Sequence, residues 1–132
     1  MIKNCTLLNA EILSTIARMG HTDSITISDC GLPIPESTNR IDLALKKDVP
    51  TFLETLDVVL SAFQPELAII AEEIKKVSPI FHSEMIKKLG SIEIEYVSHD
   101  EFIELTSQSK ACIRTGECTA YANIILVSGS LF

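Results

Sequence analysis

Apolar residues recur at helical spacing between Ala10 and Met19, where Ile12, Leu13, Ile16 and Ala17 form one stripe. Asn9 is placed to cap that helix and Gly20 to end it. The period then changes to two. Ile25 and Ile27 alternate with Thr26 and Ser28, which predicts a strand with one apolar face. Cys30 to Arg40 reads as a loop, because Gly31, Pro33, Pro35 and Ser37-Thr38-Asn39 break both periods. Ile41, Leu43 and Leu45 alternate with Asp42 and Ala44, a second short strand. Pro50 opens a helix with Phe52, Leu56, Val59, Leu60 and Phe63 at helical spacing, and Pro65 stops it.

Leu67 to Ala71 is an unbroken apolar run, the pattern of a strand buried on both faces. Ser78-Pro79 begins a further helix with Phe81, Met85 and Leu89 inward, Lys87 and Lys88 in its last turn, and Gly90 after it. Ile92, Ile94 and Tyr96 alternate with Glu93 and Glu95, so that strand is half exposed. Ser98 followed three residues later by Glu101 is a capping box, opening a helix that carries Phe102 and Leu105. Two strands close the chain, near Ala111 to Thr115 and Tyr121 to Ser128. Helices and strands alternate throughout. The expected class is therefore α/β, a single three-layer domain over residues 1–132 with a largely parallel central sheet flanked by helices.

Composition narrows the function. The chain has 132 residues, 46% hydrophobic and only 5% aromatic, so Ile, Leu and Val must fill the core. Net charge is −7, and the lysine pairs (46–47, 75–76, 87–88) are scattered, which argues against a nucleic-acid surface or an anionic membrane. The four cysteines, Cys5, Cys30, Cys112 and Cys118, form no CxxC pair and no zinc-like spacing. They read as reduced thiols packed as small apolar groups. The amino terminus turns quickly into an amphipathic helix instead of a secretory signal. No apolar run approaches the ~18 residues of a membrane span. A cytoplasmic protein with no metal and no cofactor is the expectation.

Candidate chemistry gathers at element ends. His21 stands at the break after the first helix, where it could cap carbonyls or serve as an acid, and Asp23 could orient it or simply start the strand. Asp29 follows a strand's carboxyl end, either as a turn residue bonding its own backbone or facing a ligand, since α/β sheets bind ligands beyond those ends. His99 falls at the first turn of its helix, where the positive dipole end favours a neutral imidazole. His82 reads as surface. Tyr121-Ala122-Asn123 places a hydroxyl and an amide at the start of an apolar strand, and an Asn amide can bond two adjacent sugar hydroxyls. Arg114 to Glu117 could be a tight turn with a local ion pair. No P-loop, dinucleotide fingerprint or activated nucleophile is present. Two imidazoles, a carboxylate, a phenol and an amide suit proton shuffling on a neutral polyol, a task for which positioned acid–base groups supply ~10² to 10⁴-fold. They suit a non-catalytic sugar-binding or regulatory module as well.

Several motifs in order resemble the D-ribose pyranase family over nearly the whole chain: Gly20-His21-Thr22-Asp23, the run Asp29 to Pro35, Ile41 to Lys46, Glu73 to Lys75, Glu95 to Phe102, Arg114 to Glu117 and Tyr121 to Asn123. The resemblance implies a cofactor-free isomerase that interconverts the pyranose and furanose forms of D-ribose and feeds a ribokinase. It implies His21 as proton donor, Asp29 and His99 as sugar ligands, and Tyr121, Ala122 and Asn123 as a segment that completes the pocket from a neighbouring subunit. It further implies a homodecamer of two stacked pentamers, with the apolar end Ser128 to Phe132 buried against a partner. The related fucose mutarotases share the histidine and aspartate, and Gly31 to Pro35 favours the ribose branch. Ala120 stands where the family usually has Pro, which removes a fixed φ before Tyr121. Lys46-Lys47-Asp48 replaces a Lys-Pro-Gly and is expected to affect only a loop.

Overall fold

Three helices begin at a side chain that caps them. In the computed structural model, which describes residues 2–130, helix α1 spans Ala10–Arg18, and the Asn9 side chain accepts the Ile12 N–H at 3.0 Å. Helix α2 spans Phe52–Ala62 and begins after Thr51, whose hydroxyl accepts the Glu54 N–H. Helix α4 spans Pro79–Leu89 and ends at Gly90, whose φ of 59° is the left-handed conformation glycine takes without strain. Helix α5 spans His99–Thr106, with Ser98 Oγ accepting the Glu101 N–H as the capping box requires. One further turn, α3 at Ile74–Val77, follows the third strand. Four residues are too few to leave a helical period in the sequence.

The strands are β1 Ser24–Ser28, β2 Arg40–Asp42, β3 Pro65–Ala71, β4 Glu93–Val97, β5 Cys112–Arg114 and β6 Ile124–Ser128. They form one sheet in the order β2-β5-β1-β6-β3-β4. The pairs β1–β5, β2–β5 and β3–β4 are parallel, and β6 runs antiparallel to both β1 and β3. The expected α/β class with a largely parallel sheet is what forms, with β6 the one reversed strand. Ile25, Ile27, Ile124 and Leu126 face α2 and α4 together with Phe52, Leu56, Val59 and Met85. Ile125, Cys112 and Val97 face the other way, under Phe102 of α5 and Leu32 of the loop after β1. That is the three-layer arrangement, built on period-two alternation. Among the described residues, no helix is long and apolar enough to cross a membrane.

Three boundaries differ from the pattern. The strand expected over Ile41 to Leu45 stops at Asp42, because it lies at the sheet edge and its only neighbour, β5, is three residues long. Pro65 does more than stop α2: it is the first residue of β3, a position where a missing N–H is tolerated. The last strand starts at Ile124, not Tyr121, because Tyr121 has a φ of 63° and cannot extend a ladder. Of the apolar end, Leu131 and Phe132 lie outside the described residues.

Candidate active site

Sheet polarity determines where the polar residues meet. Strands β1, β5, β3 and β4 run the same way, so the segments after them share one edge, and β6 enters the sheet from that edge. Asp29 follows β1, Glu117 lies just past β5, Glu73 follows β3, His99 follows β4, and Tyr121 to Asn123 precede β6. Of these, Asp29, His99, Glu117 and Tyr121 line a cleft of about 380 Å³, together with Leu32 and Thr119, among others. That volume falls within the range of roughly 300–1,000 Å³ typical of small-molecule sites. A groove of about 430 Å³ between α2 and α4 is lined by Leu53, Asp57, Glu84, Lys87 and Lys88. Two of its four charges form a Lys88–Asp57 pair at 2.8 Å, and it holds no strand-end chemistry.

Asp29 and Asn123 are locked together. The Asp29 N–H donates to Asn123 Oδ1 at 2.8 Å, and Asn123 Nδ2 donates to Asp29 Oδ2 at 3.3 Å. Asp29 Oδ1 also accepts the Gly31 N–H at 3.0 Å, so the turn role and the cleft role coexist. Burial raises the Asp29 carboxyl above its ordinary value, opposed by the N–H groups of Gly31 and Leu32, the Asn123 amide and His99. β5 holds the loop from the other side. Ser28 C=O accepts both the N–H and the hydroxyl of Thr115, and Cys30 C=O accepts Arg114 Nε–H at 3.1 Å. Arg114 also pairs with Asp42, not with Glu117, so the local ion pair expected in that turn does not form.

His99 is held by its backbone. Both oxygens of Glu73 accept its N–H at 3.0 Å, and its ring stands edge-on to Tyr121 with centroids 5.0 Å apart. Its Nδ1 is buried and has no hydrogen-bond partner among the described residues, a polar atom left for a ligand. Tyr121 accepts a strained backbone to reach this position, at a cost of about 1–2 kcal/mol for a left-handed non-glycine residue. Ser78 Oγ–H donates to the Ala120 carbonyl at 3.0 Å, so a hydrogen bond steadies the approach where the family's proline is missing. Ala122 and Asn123 are both fully buried.

Tyr121 lines the cleft within its own chain, with the buried Ala122 and Asn123 beside it in sequence, and the residue remote from that cleft is His21. It lies at the amino end of β1, eight residues before Asp29, and the five-residue strand between them alone covers about 17 Å. Its side chain is 55% exposed, and Nε2 lies 3.3 Å from Glu66 Oε1. Asp23 does not orient it, since Asp23 Oδ2 accepts the Gly20 N–H instead. His82 is half-buried, not plain surface, and its Nε2 is 2.6 Å from the Tyr96 hydroxyl.

Glu117 lines the cleft, and pattern reading did not single it out. It is 7% exposed; Oε1 accepts the Phe52 N–H that opens α2, and Oε2 accepts the Thr119 hydroxyl. Only its place in Arg114 to Glu117 signalled it. Gly116 before it is required by close approach, since a Cβ there would lie 2.5 Å from the Lys46 carbonyl oxygen. The Lys46 to Asp48 loop therefore reaches the cleft: Asp48 takes a φ of 61°, and its carboxylate accepts the Cys118 N–H at 3.3 Å. Among the described residues, no group of three or more His, Cys, Asp or Glu converges as a metal ion would require.

Residues 2–131 match the RbsD / FucU transport protein family. The chain is 51% identical to the D-ribose pyranase of Vibrio parahaemolyticus, with 99% of this chain and 100% of that one covered. It is 48% identical to the D-ribose pyranase of Escherichia coli at the same coverage. The structure of Bacillus subtilis RbsD complexed with D-ribose superposes with a TM-score of 0.95 at 43% identity, each chain covered in full. The fucose mutarotase of Streptococcus pneumoniae in complex with L-fucose shares the fold, with a TM-score of 0.79 at 24% identity over 99% of this chain and 100% of that one. Full-length identity of this order, carried on the same fold, places the chain in the RbsD / FucU transport protein family.

Proposed function

We propose that this chain is an isomerase that interconverts the pyranose and furanose forms of D-ribose. The observation that carries the reading is the cleft itself: Asp29, His99, Tyr121 and Asn123 converge in one chain whose full-length relatives are D-ribose pyranases. Asp29 and the Asn123 amide accept from and donate to neighbouring hydroxyls, while His99 and Tyr121 wall the ring. Opening the hemiacetal gives a proton to the ring oxygen and takes one from the anomeric hydroxyl. Closing on a different hydroxyl reverses both transfers, so the chemistry asks only for proton movement.

His21 is the proton donor in this reading, and it arrives from another copy. The amino-end edge of one chain then meets the carboxyl-end cleft of the next. Such a head-to-tail contact uses two different patches and closes into a ring. Exposed apolar residues support an interface between copies: Leu45 is 80% exposed and Ile80 79%. Ten copies in two stacked rings, in the cytoplasm, complete the proposal, and light scattering with cell fractionation tests both points. Saturation-transfer NMR on D-ribose tests the activity. The wild type accelerates exchange between pyranose and furanose signals, and His21→Ala loses the acceleration while keeping its assembly. Ribose binding by the wild type without faster exchange would sink the enzyme reading and leave a sugar-binding module.

A further inference from the structure

Two of the four cysteines stand together at the cleft. Cys30 Sγ and Cys118 Sγ are 3.6 Å apart, on loops that leave different strands. Their backbones are already tied one residue away, where the Cys30 N–H donates to the Glu117 carbonyl at 2.9 Å. Both residues line the cleft, Cys118 exposed and Cys30 half-buried. The other two thiols have no such setting. Cys112 is fully buried, and burial pushes its thiol up to about 11. Among the described residues, Cys5 donates only to the Leu7 carbonyl.

We propose that Cys30 and Cys118 form a reversible oxidation site on the rim of the cleft, closed to an intrachain disulfide by hydrogen peroxide. Peroxide is smaller than a pentose and enters by the same opening. The Cys118 thiolate attacks one peroxide oxygen, the O–O bond breaks, and hydroxide leaves as water, giving a sulfenic acid at Cys118. Cys30 sulfur then attacks the sulfenyl sulfur; the S–S bond forms, the S–O bond breaks, and the Cys30 proton leaves with that oxygen as a second water. Two thiols are oxidised by two electrons and one peroxide is reduced. A dithiol reductant reverses the bond by exchange. Hydrogen bonding to Cys30 first, then desolvation and the charges of Cys30 and Asp48, holds the Cys118 thiol above its ordinary value, so only a minor thiolate fraction attacks and the link forms slowly, at raised peroxide.

Closure shortens the sulfur separation from 3.6 Å to about 2.05 Å, so the two loops must approach. Asp29 adjoins Cys30, and Tyr121 follows Cys118 by three residues, so the sugar's partners move with the sulfurs. This consequence rests on the sugar reading above; the disulfide itself does not. Displacing positioned groups by about 1 Å costs up to ~10²-fold, so oxidation slows ribose exchange on the order of tenfold or more. The test treats the purified oligomer with hydrogen peroxide, alkylates free thiols and maps peptides without reduction, with ribose exchange read in parallel. The expected result is one intrachain Cys30–Cys118 link, slowed exchange, and recovery of both with dithiothreitol. Cys118→Ser keeps its own untreated rate under peroxide. Free thiols after treatment, links between copies, or sulfinic acids without a link overturn the site. A link that leaves exchange unchanged overturns its control of the cleft. If the reduced protein never accelerates exchange, the peptide map still decides the disulfide, and only the isomerase reading falls.

Discussion

At the scale of single residues, the site is held by groups that satisfy one another and leave one face for a ligand. Asp29 shows the cost of that arrangement. Its carboxyl lies above the ordinary 3.8, chiefly because burial disfavours the charge. Between that value and the folded-state value, the folded protein holds a proton the unfolded chain has lost, so Asp29 makes stability fall as pH rises. Asp29→Asn carries no such linkage. The variant's stability minus that of the wild type should therefore rise with pH from about pH 4 upward. Urea unfolding at fixed protomer concentration reads this, and a flat or falling difference would contradict a desolvated carboxylate. The same variant should lose ribose affinity by roughly 1.5–3 kcal/mol, the usual worth of a hydrogen bond to a charged group. Asp29, His99 and Asn123 stood out in the pattern because strand ends and helix starts are legible as changes of period. Glu66, the partner of His21, was not legible, since nothing local marks a residue 45 positions away.

At the scale of elements, Glu117 joins a helix to the cleft. Its carboxylate accepts the N–H that opens α2 and the hydroxyl of Thr119, two residues before Tyr121. Glu117→Ala leaves the Phe52 N–H buried and unpaired, at a cost of about 1–3 kcal/mol, and frees the segment that presents Tyr121. Glu117→Gln keeps an acceptor for that N–H and should lose less than half as much. Thermal unfolding ranks the pair, and the apparent KM for ribose should rise in the Ala variant. Equal stability of the two variants would deny Glu117 this role. Capped elements were the most legible parts of the fold: Asn9 and Ser98 each accept the N–H three residues on, as their positions predict, and Thr51 does the same one residue after the Pro50 that signalled its helix. α3 escaped notice because one turn has no period. The start of β6 was misplaced because apolar content extends further back than the backbone at Tyr121 allows.

At the scale of the molecule, the decisive fact is that His21 and Asp29 close opposite ends of one strand. No rearrangement within this fold brings them together, because β1 is the central link between β5 and β6. The proposed site is therefore shared between copies, and it can be tested by complementation. His21→Ala and Asp29→Asn should each be inactive alone. Co-expressed in equal amounts, they should regain about a quarter of wild-type activity, the share of head-to-tail contacts that pair two intact residues at random. No recovery in mixed oligomers would place both residues in one subunit's chemistry and overturn the shared site.

The sequence by itself determined the class of fold, most element boundaries and the residue types of the site, because periodicity, caps and turn residues act within a few positions of one another. Its motifs also carried the family, since they lie in order along the chain. Tertiary structure alone decided which of those residues meet. That Tyr121 lines its own chain's cleft while His21 stands at the opposite edge of the sheet follows from strand direction, set by parallel β1–β3 geometry with β6 reversed between them. The contact of Cys30 with Cys118, 88 residues apart, and the seat of Glu117 under α2 are likewise products of packing. Long-range pairing depends on how the whole sheet buries its two faces, and no local window contains that information.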